Sequence, residues 1–327
     1  MASYPGVTTI LLPTTLEEPV SLPPGMRAVS YAPDAPVPDD GLDAEILVVW
    51  GSGRRVLLDA AARLTRLRWV ACLAAGTDVV EECFPPPVAI TSGRGLHDGP
   101  VAEHALALVL ACARRLPALV RAQDEGRWAA ELGGLQRVHD SEFRTLAGAR
   151  VVIWGFGSIA ARLAPLLQAL GAFVMGVARH AGPRPGSGPS GEPWGTFDVV
   201  TADELPRLLP DTDVLISVLP ATAQTAGAVS SSVLALLPPR AFVVNVGRGS
   251  TLDEDALLAA IRSGALAGAA LDVTSREPLP ADSPLWSEPR ILLTPHAAGG
   301  RPRGAGPYLT TALTAYTRSQ PLPNQTR

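Results

Sequence analysis

The chain has 327 residues, more than one ordinary domain, and this length predicts two domains with separate cores. Hydrophobic residues make up 47% of it, as in globular proteins, and the formal net charge of -4 gives no basic field for binding nucleic acid. No apolar run approaches the roughly 20 residues that span a bilayer, and no basic region followed by an apolar segment opens the chain, so we expect a cytoplasmic protein that does not bind a membrane.

Short apolar runs alternate with helical patterns along the chain, which is typical of parallel βαβ units covered on both faces. The predicted fold class is therefore α/β. The predicted strands lie at 46–50, 69–73, 151–154, 173–177, 214–218, 241–246, 269–273 and 291–294. Helices are predicted at 54–67 and 101–116, followed by a loop-rich stretch to residue 144. The Gly-, Pro- and Ser-rich segment 180–195 predicts a surface loop.

The three cysteines are an odd number without the spacing of metal ligands. Cys72 and Cys112 lie in apolar runs, and Cys83 is the third. The sequence therefore predicts buried thiols and no metal site.

A glycine-punctuated turn follows the apolar run at 151–154 and precedes an apolar helical pattern. In such a turn Gly155 permits the sharp bend, Gly157 lets backbone approach a pyrophosphate, and Ala160 lets the helix pack closely on the strand. The alternative is an ordinary strand-turn-helix whose glycines serve only packing. The turn favours dinucleotide binding, and its predicted cofactor contacts are Gly155, Phe156, Gly157, Ser158 and Ile159.

Cofactor choice is encoded at the end of the second strand of such a unit, where NAD-preferring sites place an acid for the ribose 2′-hydroxyl. Here Ala178 occupies that position, and Arg179 and His180 follow it. A cation that pairs with a 2′-phosphate is thus present and a repelling acid is absent, so NADP(H) is favoured over NAD(H). Alternatively, Arg179 stacks on adenine or faces solvent while either cofactor binds.

Three polar side chains, Arg248, Glu277 and His296, each follow a predicted strand. Sites in parallel sheets collect outside the carboxyl ends of the strands, where the phosphate turn also lies. Taken singly, these residues are read as a surface cation, a loop carboxylate and a structural histidine. Their joint position beside a nucleotide site favours a catalytic cluster.

An ordered series of segments resembles the D-isomer-specific 2-hydroxyacid dehydrogenase family. The segments are 74–78, 100–104, 126–128, 146–171, 213–225, 245–255, 269–278 and 294–299. The resemblance implies a Rossmann-type dinucleotide-binding domain inserted into a flavodoxin-like substrate domain. The substrate domain would comprise residues 1–98 plus 294–327, and the NAD(P)-binding domain residues 99–293.

The activity that this resemblance implies is NAD(P)-dependent interconversion of a 2-oxoacid and a D-2-hydroxyacid, working toward the hydroxyacid. His296 would be the acid and base, Glu277 would orient its ring, and Arg248 would bind the carboxylate and 2-oxo oxygen of the substrate. The backbone N–H groups of Ala75 and Gly76 resemble the loop that receives the carboxylate.

Further cofactor contacts follow from the same resemblance. Asp272 would contact the nicotinamide carboxamide, although a turn former at a strand end is the alternative. The remaining implied contacts are Leu219, Pro220, Thr225 and Val246. The first three would lie beside the adenine and its ribose. The alternative is that they form a simple strand-to-turn exit. The resemblance also implies a homodimer joined through the nucleotide domain, with an arm from residues 117–145. Glu103 and His104 are interpreted as structural.

Two departures from the family pattern affect the expected site. Thr274-Ser275 stands where the family commonly has an aromatic-acidic pair, which we expect to alter packing near Glu277. Residues 299–306 are rich in Gly, Arg and Pro, and substrate specificity is open there. Two other functions also stay open: a dinucleotide-sensing, corepressor-like interaction protein, and oxidation of a non-carboxylate oxyanion such as phosphite.

Overall fold

A computed structural model describes residues 7–133 and 143–327, and the chain separates into two compact units. The first unit is Met1–His97 with Arg301–Arg327, and the second is Asp98–Gly300. The sequence places the second boundary at residue 293. Residues 294–300 belong to the second unit because the loop after residue 293 is hydrogen-bonded to Asp272. The substrate role of the first unit stays a prediction.

The elements are named here in chain order. Up to His97 they are β1 (Thr8–Pro13), β2 (Met26–Tyr31), β3 (Ile46–Val49), α1 (Arg54–Arg63), β4 (Trp69–Cys72), α2 (Asp78–Cys83) and β5 (Ala89–Thr91). Next come α3 (Asp98–Ala113), α4 (Leu116–Asp124), β6 (Arg150–Trp154), α5 (Ser158–Ala169), β7 (Phe173–Val177), β8 (Arg184–Ser187), β9 (Pro193–Phe197) and β10 (Val199–Val200). The remainder are α6 (Leu205–Leu208), β11 (Val214–Ser217), α7 (Ser231–Leu234), β12 (Phe242–Asn245), α8 (Glu254–Arg262), β13 (Gly268–Leu271), β14 (Ile291–Leu293) and α9 (Ala305–Thr317).

The first unit is built on a parallel sheet in the order β2-β1-β3-β4-β5. This is the flavodoxin-like strand order, so that part of the predicted fold class is confirmed. The central strands β3 and β4 are buried along their whole length. Buried side chains of α1 and α2 belong to the core on one face of the sheet, and those of α9 belong to the core on the other.

The second unit has a parallel sheet in the order β10-β7-β6-β11-β12-β13-β14. Counted from β6, this is the Rossmann order 3-2-1-4-5-6 with one further strand, which confirms the predicted nucleotide-binding fold. The strand order reverses between β6 and β11, and such a reversal is where ligands bind in open α/β sheets. Helices α3 and α5 pack on one face and α7 and α8 on the other.

Two segments differ from their prediction. The predicted surface loop at 180–195 contains strand β8, which pairs antiparallel with β9. Gly186 permits the pairing, since a Cβ there would lie 2.2 Å from the carbonyl oxygen of Trp194, and buried Phe197 anchors the hairpin beside Phe156. The predicted loop after residue 116 begins with helix α4. Arg115 has a left-handed backbone (φ 55°), so α3 ends and a new helix starts.

The three cysteines are buried, as predicted. Burial raises the pKa of the Cys112 thiol to about 12, which keeps it protonated at neutral pH. Within the described part of the chain, no helix combines the length and apolar character needed to cross a bilayer.

Candidate active site

The phosphate turn joins β6 to α5 and is closed on one side by backbone. Gly155 has a φ of 107°, and a Cβ there would lie 2.6 Å from the carbonyl oxygen of Val218. The N–H groups of Gly155 and Phe156 both donate to the Val177 carbonyl, at 2.9 and 3.1 Å.

The other side of the turn fits an anion. A Cβ on Gly157 would meet nothing within 4 Å, so backbone there is open to a ligand. Gly157 caps α5, whose first amides have no acceptor within the helix, and fully buried Ala160 brings the helix close to the sheet. The residues of the turn therefore suit a pyrophosphate, as the sequence predicted for this site.

Arg179 is exposed two residues after the end of β7, where the sequence places a partner for a 2′-phosphate. A second cation, which sequence reasoning missed, contacts the backbone of the next residue. Arg184, the first residue of β8, donates to the carbonyl oxygens of Phe156 at 2.6 Å and His180 at 2.9 Å. Arg184 thus ties the phosphate turn to the segment that carries Arg179. No local pattern reveals this contact, because the segment that carries Arg184 has the Gly- and Pro-rich composition of a loop.

The segment after β11 is held between two glycines. Backbone atoms of Leu219 lie 3.2 Å from a Cβ built on Gly155 and 2.6 Å from one built on Gly247, so any side chain at either glycine would displace it. Thr225 closes the following turn by donating to the Pro220 carbonyl at 2.5 Å. Val246, directly after β12, is buried. The predicted cofactor contacts of Leu219, Pro220, Thr225 and Val246 stay predictions.

Buried Asn245, the last residue of β12, fixes the backbone that carries Arg248. Its amide donates to the Arg248 carbonyl at 3.1 Å, and its side-chain oxygen accepts from Gly247 N–H at 3.0 Å. Thr251 Oγ1 donates to the same Arg248 carbonyl at 2.7 Å. The guanidinium of Arg248 is half-buried and donates to the Gly247 carbonyl at 2.8 Å. The sequence did not point to Asn245, because its role depends on a turn rather than on a motif position.

Glu277 and His296 form a close pair. The distance between Glu277 Oε2 and His296 Nδ1 is 2.7 Å, and the other oxygen, Oε1, accepts from the N–H of Thr274 at 3.1 Å. The carboxylate thus fixes the orientation of the ring and leaves Nε2 for proton exchange. The two side chains are 37% and 48% exposed, so a substrate can reach the pair.

Asp272 anchors the loop that carries His296. Its side chain is 1% exposed, and its two oxygens accept from Thr294 Oγ1 at 2.5 Å, Ala297 N–H at 2.9 Å and Ala298 N–H at 3.0 Å. His296 N–H donates to the Asp272 carbonyl at 2.8 Å. These bonds hold His296 in a left-handed conformation (φ 51°), which costs a non-glycine residue about 1 kcal/mol or more. The predicted carboxamide contact of Asp272 stays a prediction.

His104 meets this loop from α3. Its Nε2 lies 3.1 Å from Thr294 Oγ1 and 3.3 Å from Asp272 Oδ1. Because the Thr294 hydroxyl donates to Asp272, its free lone pair faces His104 as an acceptor. His104 therefore has a structural role, as the sequence predicts, and that role is to support the loop that carries His296.

Ala75 and Gly76 belong to the first unit, in the loop between β4 and α2, and are exposed and half-buried respectively. Their predicted binding of a substrate carboxylate stays a prediction. Among residues 7–133 and 143–327, no group of three or more His, Cys, Asp or Glu side chains is arranged to hold a metal ion.

A family model described as "D-isomer specific 2-hydroxyacid dehydrogenase, NAD binding domain" matches residues 106–298, more than half of the chain. The chain belongs to the D-isomer-specific 2-hydroxyacid dehydrogenase family. The resemblance drawn from its motifs is thereby confirmed, and its second unit contains the family's NAD-binding domain.

Individual members of this dehydrogenase family are similar to this chain over different shares of its length. Glyoxylate/hydroxypyruvate reductase A of Salmonella newport is 42% identical over 177 residues, which are 54% of this chain and 54% of that protein. The chain thus spans about half the length of the curated relatives it matches.

Solved structures of the family match nearly the whole chain. A family member from Xanthobacter autotrophicus Py2, in complex with NADPH and MES, is 30% identical with a TM-score of 0.74, over 98% of both chains. An NADPH-dependent glyoxylate/hydroxypyruvate reductase from Sinorhizobium meliloti, in complex with NADP and malonate, is 27% identical with a TM-score of 0.72, over 98% of this chain and 97% of that one.

Proposed function

We propose that this protein is an NAD(P)-dependent oxidoreductase that reduces a small 2-oxoacid to the D-2-hydroxyacid. The observation that carries the proposal is the 2.7 Å pair of Glu277 and His296, held by Asp272 at the sheet edge where the phosphate turn lies. A carboxylate-oriented imidazole next to a dinucleotide site is what proton-coupled hydride transfer requires.

When bound along the phosphate turn, the cofactor would supply the hydride for reduction at the 2-oxo carbon. Negative charge then develops on the substrate oxygen, and the guanidinium of Arg248 stabilises it while binding the carboxylate through its planar donors. His296 Nε2 gives its proton to that oxygen, and Glu277 holds the ring through Nδ1. In the reverse direction His296 takes the proton from the hydroxyl group.

The substrate class is inferred from both residues and relatives. A single guanidinium that holds a carboxylate and an adjacent oxo oxygen suits a compact 2-oxoacid. The Salmonella and Sinorhizobium relatives are named for glyoxylate and hydroxypyruvate, so these two acids are the first candidates for this chain. Ala75 and Gly76 are proposed as the amides that receive the carboxylate.

NADP(H) is the proposed preferred cofactor, with NAD(H) second. The position of Arg179 supports this choice, and so does the complex of the Xanthobacter relative with NADPH. Arg184 adds a cation that is hydrogen-bonded to the same segment.

Exchanging Ala178 for Asp together with Arg179→Ile is expected to shift preference toward NAD(H). The new carboxylate accepts from the ribose 2′-hydroxyl and repels a 2′-phosphate, and the lost guanidinium removes the attraction. The ratio of kcat/KM values for NADPH and NADH measures the change, and Arg207→Ala, a surface arginine paired with Glu204, is the matched control. An unchanged ratio in the double variant would refute the role of Arg179.

We also propose a homodimer located in the cytoplasm. Large apolar side chains on and after α4 support the first part: Leu116, Val120 and Trp128 are 47%, 52% and 93% exposed and lie on or next to the expected arm. Residues 134–142 of that arm lie outside the described residues.

The proposal is tested by cofactor oxidation with a panel of glyoxylate, hydroxypyruvate, pyruvate, phenylpyruvate and branched 2-oxoacids. NADPH consumption with one acid supports the reductase and names its substrate. The reverse assay, NADP⁺ with phosphite, detects oxyanion oxidation. Tight cofactor binding without turnover in any assay would instead favour the sensing role, which the named relatives do not favour.

A further inference from the structure

Two residues outside the proposed reaction centre hold the turn that carries Glu277. Ser275 donates to Glu254 twice, from its N–H at 2.5 Å and from its hydroxyl at 2.7 Å. Glu254 is the first residue of α8, and the adjacent N-cap, Asp253, is bonded separately to the N–H of Ala256. The two Glu254 oxygens therefore serve the turn rather than the helix cap.

The identity of residue 275 is what permits this contact. An acidic side chain there would place a second carboxylate against Glu254, with like-charge repulsion in place of a donated hydrogen bond. Ser275 presents a donor instead, so this chain holds the turn by a two-point bond.

Gly249 confines the same turn from another side. A Cβ on Gly249 would lie 1.9 Å from the carbonyl carbon of Thr274 and 2.4 Å from the nitrogen of Ser275. The peptide group between Thr274 and Ser275 therefore lies against the backbone next to Arg248 and is bound to Glu254. One of these two contacts is with the backbone next to Arg248, and the other is with the first residue of α8.

Thr274, one of the two residues joined by this peptide, is also hydrogen-bonded to the Glu277 carboxylate. Thr274 N–H donates to Glu277 Oε1 at 3.1 Å, and Thr274 Oγ1 donates to the Arg276 carbonyl at 2.9 Å. Glu277 Oε2 then contacts His296 Nδ1 at 2.7 Å. Hydrogen bonds, linked through the backbone of Ser275 and Thr274, thus connect α8 to the imidazole.

We propose that Glu254 and Ser275 are positioning residues that align the Glu277 carboxylate on His296. They touch neither substrate nor cofactor in this role, and they act only through Thr274 and Glu277. The proposal rests on the proposed function, since it concerns the proton donor of oxoacid reduction.

The test compares Glu254→Ala, Glu254→Gln and Ser275→Ala with Asp255→Ala. Asp255 is the next, exposed residue of α8, so its variant removes an equal charge from the same helix turn. Glu254→Ala is expected to lower kcat about tenfold with little change in KM. This loss of kcat is smaller than the loss of about 10²-fold that follows a 1 Å misplacement of a reacting group. The kcat of Ser275→Ala is expected to lie between those of Glu254→Ala and the wild type, since the bond from the N–H of residue 275 to Glu254 remains. Glu254→Gln keeps acceptor geometry for Ser275 N–H and is expected to stay near wild type, as is Asp255→Ala.

A double-mutant cycle separates positioning from general destabilisation. In a Glu277→Ala background, Glu254→Ala is expected to have no further effect on kcat, because the path to His296 is already cut. Additive losses, or equal losses in Glu254→Ala and Asp255→Ala, would overturn the proposal.

A second readout does not depend on turnover. Proton NMR of labelled histidine detects the hydrogen-bonded Nδ1–H of His296 among the five histidines of the chain, with His296→Ala for assignment. We expect this resonance to weaken in Glu254→Ala and persist in Glu254→Gln. If the wild-type protein does not reduce any 2-oxoacid, the proposed function is refuted. If the resonance is unchanged in Glu254→Ala, only the positioning role is refuted.

Discussion

Replacement of His296 by alanine is expected to lower kcat by about 10²- to 10⁴-fold, the usual contribution of a positioned general acid. The side chain is the one that Glu277 orients at 2.7 Å, and its removal leaves the developing oxyanion without a proton donor. Steady-state kinetics at saturating cofactor measure the loss. Because the phosphate turn is separate from the His296 loop, the dissociation constant of NADPH is expected to stay near that of the wild type.

Two controls accompany this variant. Glu277→Gln keeps the size of the side chain and is expected to lose less activity, since the imidazole remains but its orientation is weakened. Thermal unfolding reports whether the loop held by Asp272 survives the change. Near-normal turnover of His296→Ala, with normal folding, would remove His296 from the reaction.

Exchanging Arg248 for alanine is expected to lower kcat/KM by about 10²- to 10³-fold or more, equal to at least about 3 kcal/mol of transition-state stabilisation. The guanidinium is proposed to bind the substrate carboxylate and to stabilise the charge on the oxo oxygen, so both KM and kcat change. Kinetics with the substrate found in the panel measure both constants.

Arg248→Lys separates charge from shape. Lysine keeps the positive charge but loses the planar fork, so its kcat/KM is expected to lie between alanine and wild type, and nearer to alanine. The matched control is again Arg207→Ala, which removes a guanidinium from the surface of the same unit. An Arg248→Lys variant as active as wild type would show that two-point recognition is not required.

Much of the sheet is predictable from sequence because parallel strands are continuous apolar runs. The strand at 173–177 and the turn from β6 into α5 lie where they were predicted. The carboxyl-end rule also brings Glu277 and His296 together correctly, since β13 and β14 are neighbours. The sequence pattern does not indicate β1 and β2, and it predicts a loop where β8 of the hairpin lies. Its Gly and Pro residues have the composition of a turn, and its strands are short.

The residues that hold the site are less predictable from sequence than the residues that compose it. His104 and Thr294 are 190 positions apart, and Glu254 and Ser275 are 21 apart, so no local period connects either pair. The family position of Asp272 predicts a cofactor contact, which stays a prediction, but it does not predict the bonds of its carboxylate with Thr294 and two amides. Support of this kind depends on how loops meet in three dimensions, and single-sequence patterns carry little of that information.

The most direct test of the account is the product formed from hydroxypyruvate, since glyoxylate gives an achiral hydroxyacid. The purified protein is incubated with NADPH and hydroxypyruvate, and the product is separated by chiral chromatography beside the NADPH consumed. We expect the D-hydroxyacid, one molecule for each NADPH oxidised, and almost none with His296→Ala. The L-isomer, or NADPH loss without any hydroxyacid, would contradict the proposed reaction.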